Sequence, residues 1–577
     1  MSLLHPRTPV RPAPTGLRAW LALAVLTLPT LLVSIDNTVL GVALPAISTA
    51  LRPDATTLLW VVDVYPLVLA GLLVTMGTLG DRIGRRRLLL VGVAGFGVVS
   101  LAAAYATDAA QLVAARALLG FFGAMLMPST LALLRSVFTD RARRRTALAV
   151  WATGFAAGAA LGPIVGGVLL EHFWWGSVFV VNVPVMVLLL VAGRALLPES
   201  REAAADRLDL VGALLSLLTM VPLVLAVKLI GSDGVTPAAG LSLLAGLAAG
   251  WAFVARARAQ VRAGRRPLID IDLFAAPVLR YSALANATTM FGLTGLLFFS
   301  AQYLQLVLGR SPLQAGLLLL PGFVATVLAG LGAARLARRV PLHVLVAIGL
   351  TLVLAGYVAC LWLRVDSAVV LLVAAAVLIG TGIGLSETVT NDAILAAAPP
   401  ERAGAASAVS ETAYEIGAVF GTAVLGGVLS AVYRTAVAVP DGAPSDARET
   451  LGGAVDAASG LPAESGAALL ASARDAFSLG VDVAAGTGAV VLATVLLLAG
   501  LGLRRAHRSS TPPPVAVPSR ARDERDARSA PQDERHGRPA LRPDERDGRG
   551  VRPEERGTPH DPDDRITVAA GSRTRSD

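Results

Sequence analysis

The stretch Gly77–Leu90, GTLGDRIGRRRLLL, joins two apolar runs with an acid, three spaced glycines and four arginines. Gly77 and Gly84 permit close packing and a tight turn, and Asp81 is placed to cap the helix that follows. Arg82, Arg85, Arg86 and Arg87 would anchor the connector on the positive side of a membrane. Anchoring alone accounts for the arginines. It leaves the Gly-x-x-x-Asp-Arg-x-Gly-Arg frame around them unexplained.

The rest of the 577-residue chain fits a membrane setting: 54% hydrophobic, 16% charged, with a mean hydropathy of +0.65. Apolar stretches of about 20 residues, the length that spans a bilayer, recur throughout. Windows bounded by charges fall near 20–40, 56–76, 88–106, 109–133, 146–170, 177–197 and 209–229. Seven more fall near 237–255, 283–307, 313–333, 342–362, 367–388, 405–432 and 483–503. The expected fold class is therefore all-α and polytopic, with fourteen transmembrane helices. A cytoplasmic segment 1–19 leads into a six-helix bundle, 20–197. Two inserted helices, 209–255, separate it from a second bundle, 283–503, which includes an external loop at 433–482.

Connectors on the side of the N-terminus carry 22 basic residues and the opposite connectors 7, counting Lys228 among the latter. That bias places both termini in the cytoplasm of a plasma-membrane protein. The formal charge of +9 thus belongs to membrane topology, and no nucleic-acid partner is expected. The tail, 504–577, repeats RDERDAR, QDERHGR and PDERDGR and has almost nothing apolar to bury, so disorder is expected there. The single cysteine, Cys360, excludes an internal disulfide and a cysteine-based metal cluster, and no metal site is expected. Lys228 is the sole lysine, so no Gly-x-x-x-x-Gly-Lys phosphate loop exists to use ATP. His-Glu-x-x-His and Gly-x-Ser-x-Gly are absent as well, so an enzyme is not expected.

The Gly77–Leu90 string resembles the cytoplasmic loop signature of the major facilitator superfamily, where it latches two helical bundles on the inner side. Other stretches narrow the resemblance. WATGFAAGAALGPIVGG puts Gly154, Gly158, Gly162 and Gly166 at steps of four, with Pro163 and Gly167 beside them. Such a ladder lets another helix approach closely, and it resembles the antiporter signature of drug:proton exporters. Asp36 in SIDNTVLGVALP resembles the first-helix signature of the fourteen-helix drug:proton antiporters, and Arg116 with Gly120 resembles their fourth-helix proton-transfer signature. An arginine inside a span needs a counter-ion, and Asp36 is the candidate. Asp63, in LLWVVDVYPLVLA, falls at a similar depth.

In the thirteenth span, VSETAYEIG places Glu411 and Glu415 four residues apart, on one helical face. Together with Glu387 in the twelfth, this resembles most closely the multidrug pumps of the QacA, SmvA and LfrA type, in which acids at this place are characteristic. Two carboxylates one turn apart repel, so the pair favours holding a proton until a cation displaces it. The resemblance implies a proton-coupled antiporter that exports hydrophobic, mainly cationic drugs: quaternary ammonium compounds, dyes and some antibiotics. It implies no cofactor, with protons as the coupling ion, and a monomer is expected. The tenth span carries no acid, which speaks against divalent cations. A dedicated exporter of one endogenous antibiotic or metabolite would use the same fold. A membrane sensor or scaffold would leave the buried acids without a purpose.

Overall fold

In the computed structural model, described over residues 16–201, 208–265, 267–364, 369–398 and 403–510, fourteen helices are long and apolar enough to cross a membrane. The first bundle comprises α1 (Leu17–Leu51), α2 (Ala55–Ile83), α3 (Arg85–Ala104), α4 (Ala109–Val137), α5 (Arg141–His172) and α6 (Ser177–Leu196). The inserted pair is α7 (Leu210–Asp233) and α8 (Pro237–Arg262). In the second bundle, α9 (Pro277–Val307) ends in a π-helical turn at Tyr303–Val307. Next come α10 (Pro312–Leu336), α11 (Leu342–Cys360) and α12 (Val369–Ala396). α13 runs from Ala403 to Ala436 through a π-helical turn at Thr422–Gly426. A short α14 (Leu451–Ser459) precedes α15 (Ala463–Ser510).

Helix starts are set locally. Asp54, Asp108, Asp140 and Asp209 each accept the backbone N–H three residues on, at 2.8 to 2.9 Å. Ser311 and Gln314 form a reciprocal capping box at the start of α10. These contacts satisfy N–H groups that the first turn leaves without partners.

Buried apolar side chains divide along the chain. One core is built from residues between Ala19 and Leu197, and a second from residues between Met290 and Leu492. The glycine ladder of α5 lies against α1: a Cβ on Gly158 would land on the Leu31 carbonyl and Ser34, and one on Gly162 on Thr38. That side of α5 therefore tolerates no side chain. On the other side of α5, Gly316 of α10 meets the Pro163 carbonyl and Gly167 meets Leu313, which brings the two bundles into contact. An even number of crossings puts Leu17 and Ser510 on one face, called here the terminal face; the opposite one is the distal face. Ties between the bundles gather towards the distal face. Gln305 Nε2 donates to the Val42 carbonyl at 2.9 Å, Ser48 and Thr450 hydroxyls meet at 3.1 Å, and Arg52 pairs with Asp456 at 2.7 Å.

Four expectations need correction. The stretch Gly77–Arg87 is not a loop, because α2 continues to Ile83 and α3 starts at Arg85, with Gly84 alone between them at φ 112°. A positive φ is what glycine accommodates without strain. Asp81 does not cap α3; it holds Arg85 Nε at 2.7 Å, and Glu199 accepts the Arg86 N–H at 3.1 Å in its place. The segment 433–482 is not loop throughout, because α13 reaches Ala436 and α15 already starts at Ala463. At its other end α15 continues past 504 to Ser510, so the tail begins later. Segments 1–15 and 511–577 lie outside the described residues.

Candidate functional site

Three charged groups are packed inside the bundles, on different helices. The first joins α1, α4 and α6. Arg116 Nη1 donates to Asp36 Oδ2 at 2.6 Å, and both side chains are all but sealed from solvent, at 1% and 0% exposure. Asn182 Nδ2 donates to the other Asp36 oxygen at 3.1 Å and to Ser100 Oγ at 3.3 Å. Arg116 Nε donates to the Val61 carbonyl at 3.2 Å, and its guanidinium lies 4.5 Å over the Tyr65 ring. A buried charge is tolerated inside a membrane when it is paired and hydrogen-bonded in this way.

The second group joins α12 and α13. Glu415 is buried, while Glu411 and Glu387 are partly exposed. Glu387 and Glu411 lie within electrostatic reach of each other, and Tyr414 lies within reach of all three acids. Among the described residues none of the three carboxylates has an ion pair. This is the reverse of Asp36, whose charge is fully answered by protein groups. The Tyr414 ring meets Phe155 of α5 at 6.2 Å, so the acids look onto the seam between the bundles. On the terminal side, Asn286 donates to Ser410 Oγ at 3.1 Å and to Asn391 at 3.3 Å, pinning α13 to α9 and α12.

Tyr65 connects the two groups. It is fully buried, and it interacts electrostatically with Asp36 and Arg116 on one side and Glu415 on the other. Its hydroxyl has no hydrogen-bond partner among the described residues.

The third group is Asp63 of α2 with Lys228 of α7, 2.9 Å apart and at most 1% exposed. Lys228 is therefore not a connector residue. α7 continues five residues beyond it, which turns the lysine inward and lowers the basic count of the distal connectors to six. Sequence reasoning also passed over Asn182, Tyr65 and Glu199. Lys228 did carry a signal, being the sole lysine, set within VLAVKLIG.

At the terminal face, Arg85 Nη2 pairs with Asp81 at 2.7 Å, and Arg86 donates to the Leu197 carbonyl at 3.1 Å. Arg82 is exposed, and Gly77 faces Pro128 of α4. The linker after α6 is thereby bound to the α2–α3 corner.

The family model described as Major Facilitator Superfamily matches residues 26–422. The chain belongs to the major facilitator superfamily. Members of this superfamily are transporters rather than enzymes. The chain is 51% identical over 495 residues to the multidrug efflux pump LfrA of Mycolicibacterium smegmatis, covering 85% of this chain and 97% of LfrA. It is 35% identical over 496 residues to the methyl viologen resistance protein SmvA of Salmonella typhimurium, covering 85% and 99%. A tetracenomycin C resistance and export protein of Streptomyces glaucescens is 34% identical over 503 residues, covering 83% and 91%. Its relatives are thus multidrug efflux pumps and antibiotic exporters. Among solved structures, a bacterial Spinster homologue in an inward-facing, unoccupied conformation superposes with a TM-score of 0.60 at 17% identity, over 85% of this chain and 99% of that one. At that identity the likeness concerns the fold alone.

Proposed function

We propose that this transporter is a proton-coupled antiporter that exports hydrophobic, mainly cationic drugs across the plasma membrane, with both termini cytoplasmic. The observation that carries this reading is the contrast between the two carboxylate groups. Asp36 is neutralised by Arg116, whereas Glu387, Glu411 and Glu415 have no protein cation paired with them among the described residues. Carboxylates held close together in a poorly solvated site hold protons until an incoming positive charge stabilises their ionised form. A lipophilic cation entering from the cytoplasm takes the place of the proton. Reprotonation from the outer side then expels the cation. One site thereby couples two ligands by competition. Tyr414 and Phe155 supply the aromatic surface that binds a delocalised cation.

Asp36 and Arg116 form the proton-linked pair, and Tyr65 lies between them and Glu415. Asp63 is a further carboxylate of the coupling machinery. Gly77, Asp81, Arg82, Gly84, Arg85 and Arg86 form the inner latch. The Gly154–Gly166 ladder locks α5 onto α1, and Pro163 and Gly167, which meet α10, belong to the surface on which the bundles rock. Exchange of a monovalent cation for one proton draws on the pH gradient alone, at about 1.4 kcal/mol per pH unit.

The test uses everted vesicles with an imposed inside-acid gradient, to which monovalent and divalent lipophilic cations are added. Monovalent dyes collapse the gradient, and Glu411→Gln or Glu415→Gln abolishes the response while leaving insertion intact. Full efflux by the double Gln variant overturns the assignment. Silence of the wild-type protein across the whole panel would favour a dedicated exporter of one metabolite.

A further inference from the structure

Among the described residues, the Asp63–Lys228 pair is built unlike the other ion pairs, all of which are made by arginine. Of 50 basic side chains, one is a lysine, and it occupies a fully buried position opposite a carboxylate. Arginine grips a carboxylate with a planar fork of donors; lysine is a compact point charge that lets go more easily. Lys228 Nζ lies 2.9 Å from Asp63 Oδ2 and 4.2 Å from the centre of the Trp60 ring, with Thr422 beside the carboxylate. The ammonium is held by the opposite charge of Asp63 at close range and by the face of the Trp60 ring, and both attractions act on any organic cation. Those are the terms on which a protein binds a quaternary ammonium or another organic cation that lacks N–H groups.

The placement is equally specific. Glu411, Glu415 and Thr422 follow at steps of four and seven along α13 and so share one face. Seven residues amount to about 10 Å along the helix, in the direction of the distal face. The π-helical turn of α13 begins at Thr422, a distortion that recurs at functional sites. α7 is wedged against both bundles at this level, where Met220 and Val224 pack with Leu67 and Ala70 of α2 and Val419 and Ala423 of α13.

We propose that Asp63, Trp60 and Thr422 form a second organic-cation site on the export route, occupied in this conformation by the chain's own Lys228 ammonium. The tethered ammonium stands in for the substrate after it leaves Glu415, and the inserted helix α7 is the arm that delivers it. No other charged side chain is packed against the pair from α2, α7 or the π turn of α13 among the described residues. The proposal rests on the antiporter reading and refines the route within it.

The experiment measures binding of tetraphenylphosphonium to the full-length protein in lipid nanodiscs, in a background carrying Glu387→Gln, Glu411→Gln and Glu415→Gln. With Lys228 in place, the second site is filled and binding is weak. Adding Lys228→Met empties it, and affinity rises at least tenfold; adding Asp63→Asn as well cancels the gain. A folded Lys228→Met protein that binds no better than the background overturns the proposal. Lys228→Arg, which keeps the charge and the fold, supplies the second measurement: in otherwise wild-type protein it slows cation efflux at least tenfold, because the forked grip is not released. Efflux at the wild-type rate by Lys228→Arg overturns the proposal too. Wild-type efflux and its loss in Glu411→Gln are recorded in the same vesicles, so failure of the antiporter reading is seen separately.

Discussion

Replacing Arg116 by Met is the most informative single perturbation of the first bundle. The variant removes the 2.6 Å pair with Asp36 and leaves that carboxylate, in a site with no solvent exposure, only the Asn182 amide at 3.1 Å. Breaking a buried pair from one side costs about 3–5 kcal/mol, because the remaining charge is uncompensated. With about 1.4 kcal/mol per factor of ten, the folded-to-unfolded ratio falls roughly 10²- to 10⁴-fold. Removing both charges is a different matter. An apolar pair of similar volume, Asp36→Leu with Arg116→Met, leaves no buried ion and recovers most of the loss, since such replacements are often neutral or stabilising. The recovery is incomplete, because the Asn182 amide keeps Ser100 and loses Asp36, a deficit of about 1–3 kcal/mol. Unfolding of the three purified proteins in detergent, followed by tryptophan fluorescence, gives the stability order wild type, double variant, single variant. Efflux in vesicles is lost in both variants, which separates the pair's role in transport from its role in folding. An Arg116→Met protein as stable as wild type, or a double variant no more stable than the single one, would refute the reasoning.

Other outcomes follow from the packing and from the surface charges. Gly158→Val on α5 forces a side chain into the Leu31 carbonyl of α1; overpacking of this kind costs about 1–3 kcal/mol, read as reduced expression and a lowered unfolding midpoint. At Asp209, the N-cap of α7, burial acts to raise the carboxyl pKa. Hydrogen bonds from Arg256, the Gly212 N–H and Gln260, with the Arg256 charge, outweigh it and hold the value below the usual carboxylate range. A depressed carboxyl stabilises the fold above its unfolded pKa of about 4, and this stability is lost as pH falls through the lower folded value. Unfolding midpoints measured from pH 7 to pH 3 therefore decline at the acid end in wild type, and Asp209→Asn flattens that limb at a lower plateau. Arg52→Gln breaks the pair with Asp456, whose members are 56% and 34% exposed; a surface pair contributes about 0–1 kcal/mol, so the unfolding midpoint stays within error of wild type.

The spans were legible because lipid imposes a long apolar run on each of them, and the glycine ladder was legible because its period of four is helical. What escaped the sequence escaped for physical reasons. The arginines around Gly84 look like a solvated loop, yet one residue with positive φ suffices to turn α2 into α3. The start of α15 carries Glu464, Arg474 and Asp475, which an apolar window rejects although they occupy a regular helix. Lys228 sits near the end of its apolar run, where a lysine can snorkel; only the packing of Trp60 and Asp63 reveals that it turns inward. Glu199 caps a helix 113 residues earlier in the chain, and no local pattern announces a partner at that distance. The acids of α13 could be found by spacing, but the contrast between unpaired Glu415 and paired Asp36 belongs to tertiary structure.

The 48-residue α15 is about 72 Å long, more than twice the roughly 30 Å of a hydrocarbon core. Its distal third therefore stands clear of the lipid as a mast. α14 is braced at its foot, where Gly466 abuts the Ala458 carbonyl. From there α14 reaches across to the first bundle through Ser48–Thr450 and Arg52–Asp456. Any movement that parts the bundles on this side must undo that clasp, which involves no residue of the substrate route. A nanobody that bridges Arg52 and Asp456 would hold the bundles together from the distal face, without touching the buried acids.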